Sequence, residues 1–549
     1  MVKIMREILC AFSAGIITAF MSRVGYEVVL VNRAFLYTTV FVGGMSTLAI
    51  ELSASRLLGA VFGTSNIIWA NVIGLILLYL TVGYFVGGRW ADRSPYPRTL
   101  YRILVWAAFL SALIPLVARP ILSAAAAAVV QAEAGVALGS FVATIALFAV
   151  PITLLGTVSP FAIKLGVKRV EDAGRISGAI YAISTMGSLL GTFIPTLLTL
   201  PELGTTGTFL LFAGILYVVA LVGLFTQVGG RALVWLWMPI VLVILLIAFP
   251  RTPLRAAGVG ATLLEERETA YNYIQVQEDT NGYRLLSLNE GQGVHSIYHP
   301  TVYRYQGTWD YFLSAPYFNA GMTPDRVTSL LVVGLAAGTI PRQYQHVYGD
   351  IRMVGLEIDE GIIEAGYQWF GLDELPSLRA IAEDGRLGLN QLQETFDVIA
   401  VDAYKPPYIP WHLTTVEFFG EVRAKLTPNG VLAINVGRTP SDRRLVDALT
   451  NVLSENFASV HAIDVPRSFN TILYATVQPT TPEMLADNLN ALDPDAQPLL
   501  YDVISSTVAS LVPIHRSDIV FTDDRAPVET LTDSLVLNFL LNGELESLR

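Results

Sequence analysis

The 549-residue chain has a single cysteine, Cys10, so it can hold neither an intrachain disulfide nor a cysteine-based zinc site. Its first 250 residues contain no histidine and only 8 acidic side chains against 15 basic ones. The remainder carries all six histidines and 20 basic against 38 acidic residues. A second half this acidic lacks the basic surface a nucleic-acid partner needs. No cleavable leader is expected, because residues 8–21 have no small-residue cleavage site before the charged RVGYE stretch. What the chain has in quantity is apolar surface. Hydrophobic residues make up 53% of it and mean hydropathy is +0.52, both high for a wholly soluble protein. Two different materials meet near residue 251.

A membrane-crossing helix needs about 20 mostly apolar residues. Seven stretches qualify, at 35–54, 66–88, 101–118, 138–162, 176–199, 206–226 and 232–249, with a weaker one at 8–21. An Ala-rich stretch at 121–132 extends the third helix or lies at the surface. Gly, Ala and Ser recur at close spacing, most clearly in GAIYAISTMGSLLG, which suits tight helix packing in lipid and a compact bundle rather than a transport pathway. Glu51 and Arg56, about one helical turn apart, are expected to pair. GRWADR at 88–93 resembles the short loop signature of major facilitator transporters, although the spans are fewer than that family has.

Two loops are basic: one holds Arg89, Arg93, Arg98 and Arg102, the other Lys164, Lys168, Arg169 and Arg175. The positive-inside rule assigns both to the cytoplasm. Counting onward, the seventh span would carry the C-terminal half outside. A cytoplasmic soluble domain, favoured on chemical grounds, requires that 232–249 be broken at Pro239 or that 121–132 cross.

The soluble half opens with a Pro/Gly-containing linker at 250–262. YNYIQVQE and YRLLSLNE alternate around DTNG and predict a β-hairpin; WDYFLSAPYF predicts a short helix packing this hairpin onto a βα core. Residues 327–402 organise that core. Three apolar runs end in a Gly-rich turn after Val333, in Glu357 and in Asp402, and read as parallel strands buried on both faces. Helical stretches between them make repeated βα units, whose ligands bind beyond the strands' carboxyl ends. The turn GLAAGT keeps only Gly334 and Gly338 and is a poor GxGxxG. Glu357, however, lies 19 residues after Gly338, where an acid commonly accepts hydrogen bonds from a ribose diol. Asp384 and Gly385 come after the third strand, where an adenine edge is read, and Asp402 ends the fourth. Together they predict a nucleoside site. His412, in the Pro- and aromatic-rich flap after Asp402, is either a catalytic base or a residue packed beside Trp411. GVLAINV predicts the fifth strand, and SVHAIDV and TILYATV the last two of a seven-stranded methyltransferase-type sheet. FTDDRAPVE near the end has no metal-ligand spacing. The expected organisation is multi-domain: an all-α transmembrane bundle at 1–250, a linker and β preamble at 251–325, and a Rossmann-like α/β domain at 326–549.

YNYIQV, LSLNEGQGVHS, VVGLAAGT, GLEID, AEDGR, FDVIAVDAY and LTPNGVLAINV make the soluble half resemble the spermidine synthase family of polyamine aminopropyltransferases. ELSASRLLG and GGRWADR are similar to the bacterial members fused to a membrane bundle. The resemblance implies transfer of an aminopropyl group from decarboxylated S-adenosylmethionine to an amine, without a metal. It implies that Asp402 is catalytic, that Glu357 binds ribose, that Asp384 and Gly385 bind adenine, that Gly334 and Gly338 let the backbone approach the donor, and that Asn272 stands where the family has a glutamine. The partners it implies are a small-molecule amine, the lipid bilayer of the bacterial inner membrane and a second copy of the chain in a homodimer, with the soluble domain cytoplasmic.

The departures bear on the acceptor. Ala337 stands where the family's Gly-rich turn has an Asp, Lys405 where a second Asp would meet a diamine, and DYF at 310–312 where the family has YHE. Losing a carboxylate partner of a buried ammonium costs several kcal/mol, so a standard putrescine pocket is not expected. Two alternatives stay open: a methyltransferase using intact S-adenosylmethionine, whose carboxylate the missing Asp would repel, and a non-catalytic nucleoside sensor coupled to the bundle.

Overall fold

Long apolar runs rich in small residues form the N-terminal helices. The structure, a computed structural model, describes residues 32–541 except 63–65, 132–135, 249–256, 259, 290–292 and 406–407, so the weak span at 8–21 and Cys10 lie outside the described residues. The helices are α1 (Arg33–Phe62), α2 (Asn66–Arg93), α3 (Pro97–Gln131), α4 (Val136–Gly156), α5 (Val158–Gly166), α6 (Ala173–Ile194), α7 (Leu200–Val228) and α8 (Trp237–Ala248). Among the described residues five stretches are long and apolar enough to cross a membrane, the last of them, Val170–Ala248, containing α6, α7 and α8. The Ala-rich stretch continues α3, which runs through Pro115 and Pro120 without ending. Packing is by close backbone approach, as the small-residue spacing predicts. Gly187 and Gly191 of α6 lie against the carbonyl oxygens of Phe41 and Met45 in α1, where a Cβ has no room.

The ends of the bundle differ. The basic loops after α2 and after α5 share one end, tied by a 2.6 Å ion pair between Lys164 and Asp92. The C-terminus of α1 and the N-termini of α2 and α7 share the other, and the soluble half docks there. Arg56 donates from Nη2 to the carbonyl of Thr269 at 2.8 Å and also to that of Ala270. The expected Glu51–Arg56 pair is replaced by this contact, because five residues along a helix rotate a side chain by about 140°. At Gly204 the backbone leaves helical geometry (φ +68°), and the Thr205 N–H so freed donates to Glu268 Oε2 at 2.6 Å. An acid there also meets the positive end of the helical segment beginning at Thr205.

The preamble is larger than a hairpin. Strands β1 (Thr262–Glu268), β2 (Tyr273–Glu278), β3 (Arg284–Leu288) and β4 (Val294–Tyr298) form an antiparallel sheet in that order, with the expected hairpin as β2–β3. The polar composition of β1, TLLEERE, hid it from the alternation rule. The main sheet contains β5 (Ser329–Val333), β6 (Arg352–Glu357), β7 (Leu378–Ala382), β8 (Phe396–Val401), β9 (Leu426–Gly437), β10 (Ser459–Asp464), β11 (Asn470–Thr476) and β12 (Leu511–Val512). Its order is β12-β10-β11-β9-β8-β5-β6-β7, parallel from β9 to β7, with β11 antiparallel to β9. Both faces carry an apolar core, one around Leu330, Val332 and Tyr344, the other around Leu331, Val333 and Phe418. This is the Rossmann-like, methyltransferase-type domain the strand pattern predicts. The chain runs from β5 to β6 and β7 on one side, then returns to β8 on the other. A crevice therefore opens beyond the carboxyl ends of β5 and β8.

Candidate active site

Four strand ends meet in that crevice. Gly334 leaves β5 with φ +89°, and a Cβ on it would stand 2.6 Å from the carbonyl oxygen of Asp402, so only glycine lets the turn pass the end of β8. Ala336 donates its N–H to Glu357 Oε2 at 2.9 Å, and Asp359 donates to Glu357 Oε1 at 3.2 Å. Burial pushes the Glu357 carboxyl up to about 7, against the opposing pull of these backbone donors. Each carboxylate oxygen has a further lone pair for a ligand hydroxyl. Gly338 serves otherwise than expected. It caps α9 (Thr339–Tyr348) with φ +92°, and its missing Cβ makes room for Leu372 rather than for a ligand.

Asp384 caps α11, taking α10 as Glu360–Trp369 and α11 as Gly385–Gln391; its Oδ1 accepts from the N–H groups of Arg386 and Leu387, each at 3.0 Å. His412 lines the same cavity, its Nε2 3.1 Å from Asp384 Oδ2 and its ring edge-on to Trp411, so it is tied to the Asp384 corner of the site. A Cβ on Gly385 would meet Val333 Cγ1 at 2.6 Å. Arg386 clamps this corner to Glu421 and Asp523 at 2.6 and 2.7 Å, which gives the FTDDRAPVE loop a structural task.

Asp402 ends β8. Asn435 Nδ2 on β9 donates to its Oδ1 at 2.9 Å, and Asn470 Nδ2 donates in turn to Asn435 Oδ1 at 2.8 Å. Burial pushes the Asp402 carboxyl up to about 6, with the Asn435 bond opposing. One cavity of about 580 Å³ brings together Gly334, Glu357, Asp384, Gly385 and Asp402. Asn272 lines it as well, but both ends of its amide are engaged. Its Nδ2 donates to Asp359 Oδ2 at 2.9 Å and its Oδ1 accepts from Asn289 at 2.9 Å, so it joins the preamble to α10.

The departures from the family pattern fall in three separate places. Ala337 is buried in an apolar cluster with Ile274 and Tyr298, and its N–H donates to Ser296 Oγ at 2.9 Å. Lys405 is exposed and lines the cavity. Asp310 is buried away from it, accepting from the backbone of Tyr305 and Gln306 and from Gln343. Among the lining residues that sequence reasoning missed are Arg56, Glu268 and His295. His295 has a buried Nε2 without a hydrogen-bond partner among the described residues, and burial lowers it to about 4, so it is neutral. Its only signal was its place in LSLNEGQGVHS. Arg56 and Glu268 gave none, because the docking of the two halves brings them here. Among the described residues no group of three or more His, Cys, Asp or Glu side chains converges as a metal site would.

No protein-family model matches the chain. A probable polyamine aminopropyl transferase of Bifidobacterium longum is 29% identical over 285 residues, which is 49% of this chain and 62% of that protein. A polyamine aminopropyltransferase of Vibrio vulnificus is 25% identical over 276 residues, covering 48% of this chain and 88% of that one. Among solved structures, a probable spermidine synthase from Corynebacterium glutamicum aligns with TM-score 0.37 and 20% identity over 48% of this chain and 98% of its own. The chain thus spans less than two thirds of the first of these relatives.

Proposed function

We propose that this chain, whose C-terminal half belongs to the spermidine synthase-like family, is a membrane-anchored aminopropyltransferase acting on an amine other than a standard diamine. The observation that supports it most is the convergence of Glu357, Asp384 and Asp402 on one cavity at the ends of β6, β7 and β8. The cradle fits the nucleoside of decarboxylated S-adenosylmethionine: Glu357 offers acceptors for a ribose diol, and Asp384 and Gly385 line the same cavity beside it. Bound there, the donor supplies a methylene made electrophilic by its sulfonium.

The protein's part is to hold and deprotonate the amine. An amine with a pKa of about 10 arrives charged, so a carboxylate must orient it and take a proton before nitrogen can attack. Asp402 fills that role. Burial brings it to about 6, close enough to neutrality to serve as a base while ionised at pH 7. Asn435 and Asn470 hold its orientation.

Methyl transfer from intact S-adenosylmethionine is the second reading, favoured by Ala337, which removes the acid that would repel the donor's carboxylate. Full-length protein incubated with each donor and a panel of amines separates the two by mass spectrometry. Methylthioadenosine formed only with an amine supports aminopropyl transfer. S-adenosylhomocysteine supports the second reading, and nucleoside binding with neither product leaves a sensor.

The five apolar stretches support an integral membrane location. The donor's origin argues for a soluble domain in the cytoplasm, and the basic end of the bundle would then face outward, against the usual charge bias. A C-terminal reporter active only in the cytoplasm tests this. A reporter active only outside would remove decarboxylated S-adenosylmethionine as the donor.

A further inference from the structure

The cavity is not closed by the soluble half alone. Its far wall is the docking end of the bundle: Leu52 of α1, Ile68, Trp69 and Val72 of α2, and Leu200 of α7. Trp69 is 40% exposed, as an aromatic at a membrane interface is. The charges on this side are wrong for a polyamine. Arg56 and Lys405 line it as cations. Besides Glu357, Asp384 and Asp402, the one other acid on the cavity among the described residues is Glu268, whose Oε2 accepts from Thr205 and whose charge is opposed by Arg56 beside it. A diamine carries a second ammonium, which would meet cations and an apolar wall there, and an unpaired buried charge is strongly unfavourable. A single amino group on an apolar body meets no such penalty, and its body would bury against that wall.

We propose that the acceptor is a primary amine carried on an apolar, membrane-resident body, which lies along Leu52, Ile68, Trp69 and Leu200 with its amino group at Asp402. This rests on the aminopropyltransferase reading above and names its substrate class. In the step itself the neutral nitrogen forms a bond to the methylene of the donor's aminopropyl group that is attached to sulfur. The carbon–sulfur bond breaks with its electron pair going to sulfur, which leaves as methylthioadenosine, and the proton lost from nitrogen goes to Asp402.

The test uses full-length protein in phosphatidylcholine vesicles with decarboxylated S-adenosylmethionine and three acceptors: putrescine, dodecylamine, or phosphatidylethanolamine built into the vesicle. Methylthioadenosine and the mass of the modified acceptor are read together. Dodecylamine or phosphatidylethanolamine should exceed putrescine in kcat/KM by about tenfold or more, and which of the two does so identifies the source of the amine. Trp69→Ser, at an exposed position, should raise KM for that acceptor by about tenfold. Lys405→Asp should move the preference toward putrescine. Putrescine used as well as either amphipathic amine by the wild type overturns the proposal and leaves aminopropyl transfer standing. Methylthioadenosine from none of the three overturns the transferase reading and this proposal with it.

Discussion

The donor side of the cavity and its acceptor side are built by different means. The donor side is made of strand–turn–helix units, each acid at or within two residues of its own strand's end: Glu357 ends β6, Asp384 comes after β7, Asp402 after β8. Its geometry is local, and its hydrogen bonds run to neighbouring turns, as from Ala336 and Asp359 to Glu357. The acceptor side is assembled from α1, α2, α7, the preamble and the flap at Lys405, segments far apart in the chain. The strand-end side is therefore set by local geometry, and the wall facing it by which distant segments dock. Ala337 belongs to the turn after β5 on the first side, and Lys405 to the flap on the second.

Four experiments probe that division. The largest effect is expected for Asp402→Asn, which keeps the Asn435 contact but cannot take a proton. Its kcat should fall by about 10²–10⁴ with donor affinity nearly unchanged in calorimetry. An equal loss of donor binding would break the division at its centre. Next, Glu357→Gln should weaken donor binding by about 10–100-fold, the worth of hydrogen bonds to a charged acceptor, and leave acceptor KM alone. In the wild type the carboxylate must be ionised to accept both ribose hydroxyls, so donor affinity should fall as pH drops through about 7 and be flat above it. The variant should lose that pH dependence.

A smaller change is expected for Asn435→Leu. Removing a donor to the carboxylate raises the Asp402 pKa further, so the rise of kcat/KM with pH, centred near 6 in the wild type, should move up by about one unit. A merely structural role for Asn435 would lower activity without moving the profile. The smallest is Arg56→Ala, which removes the bonds to Thr269 and Ala270. Acceptor KM should rise about threefold to tenfold while donor affinity holds. A larger loss on the donor side would mean that the bundle supports both halves of the site.

Legibility divided along the same line. Residues 327–402 could be read because buried parallel strands need unbroken apolar runs and their ends need turns. Gly338 was placed in the right turn with the wrong task, since spacing does not say whether a missing Cβ faces a ligand or Leu372. Asn272 lines the cavity and is also held on both sides, which depends on Asp359 and Asn289 arriving from other elements. The Glu51–Arg56 pair failed because five helical residues turn the two side chains apart, and what only the tertiary structure showed is that a preamble carbonyl takes the guanidinium.

By itself the sequence determined the two materials of this protein, its apolar helices and its βα sheet, and where the acids would stand on the strand ends. Those features arise from periodicity and burial, which act within a few residues. Only the tertiary structure decided that the docking end of the bundle closes the cavity, bringing Arg56 and Trp69 to face Asp402. The shared cavity brings together residues more than 300 positions apart in the chain, and no local preference encodes it.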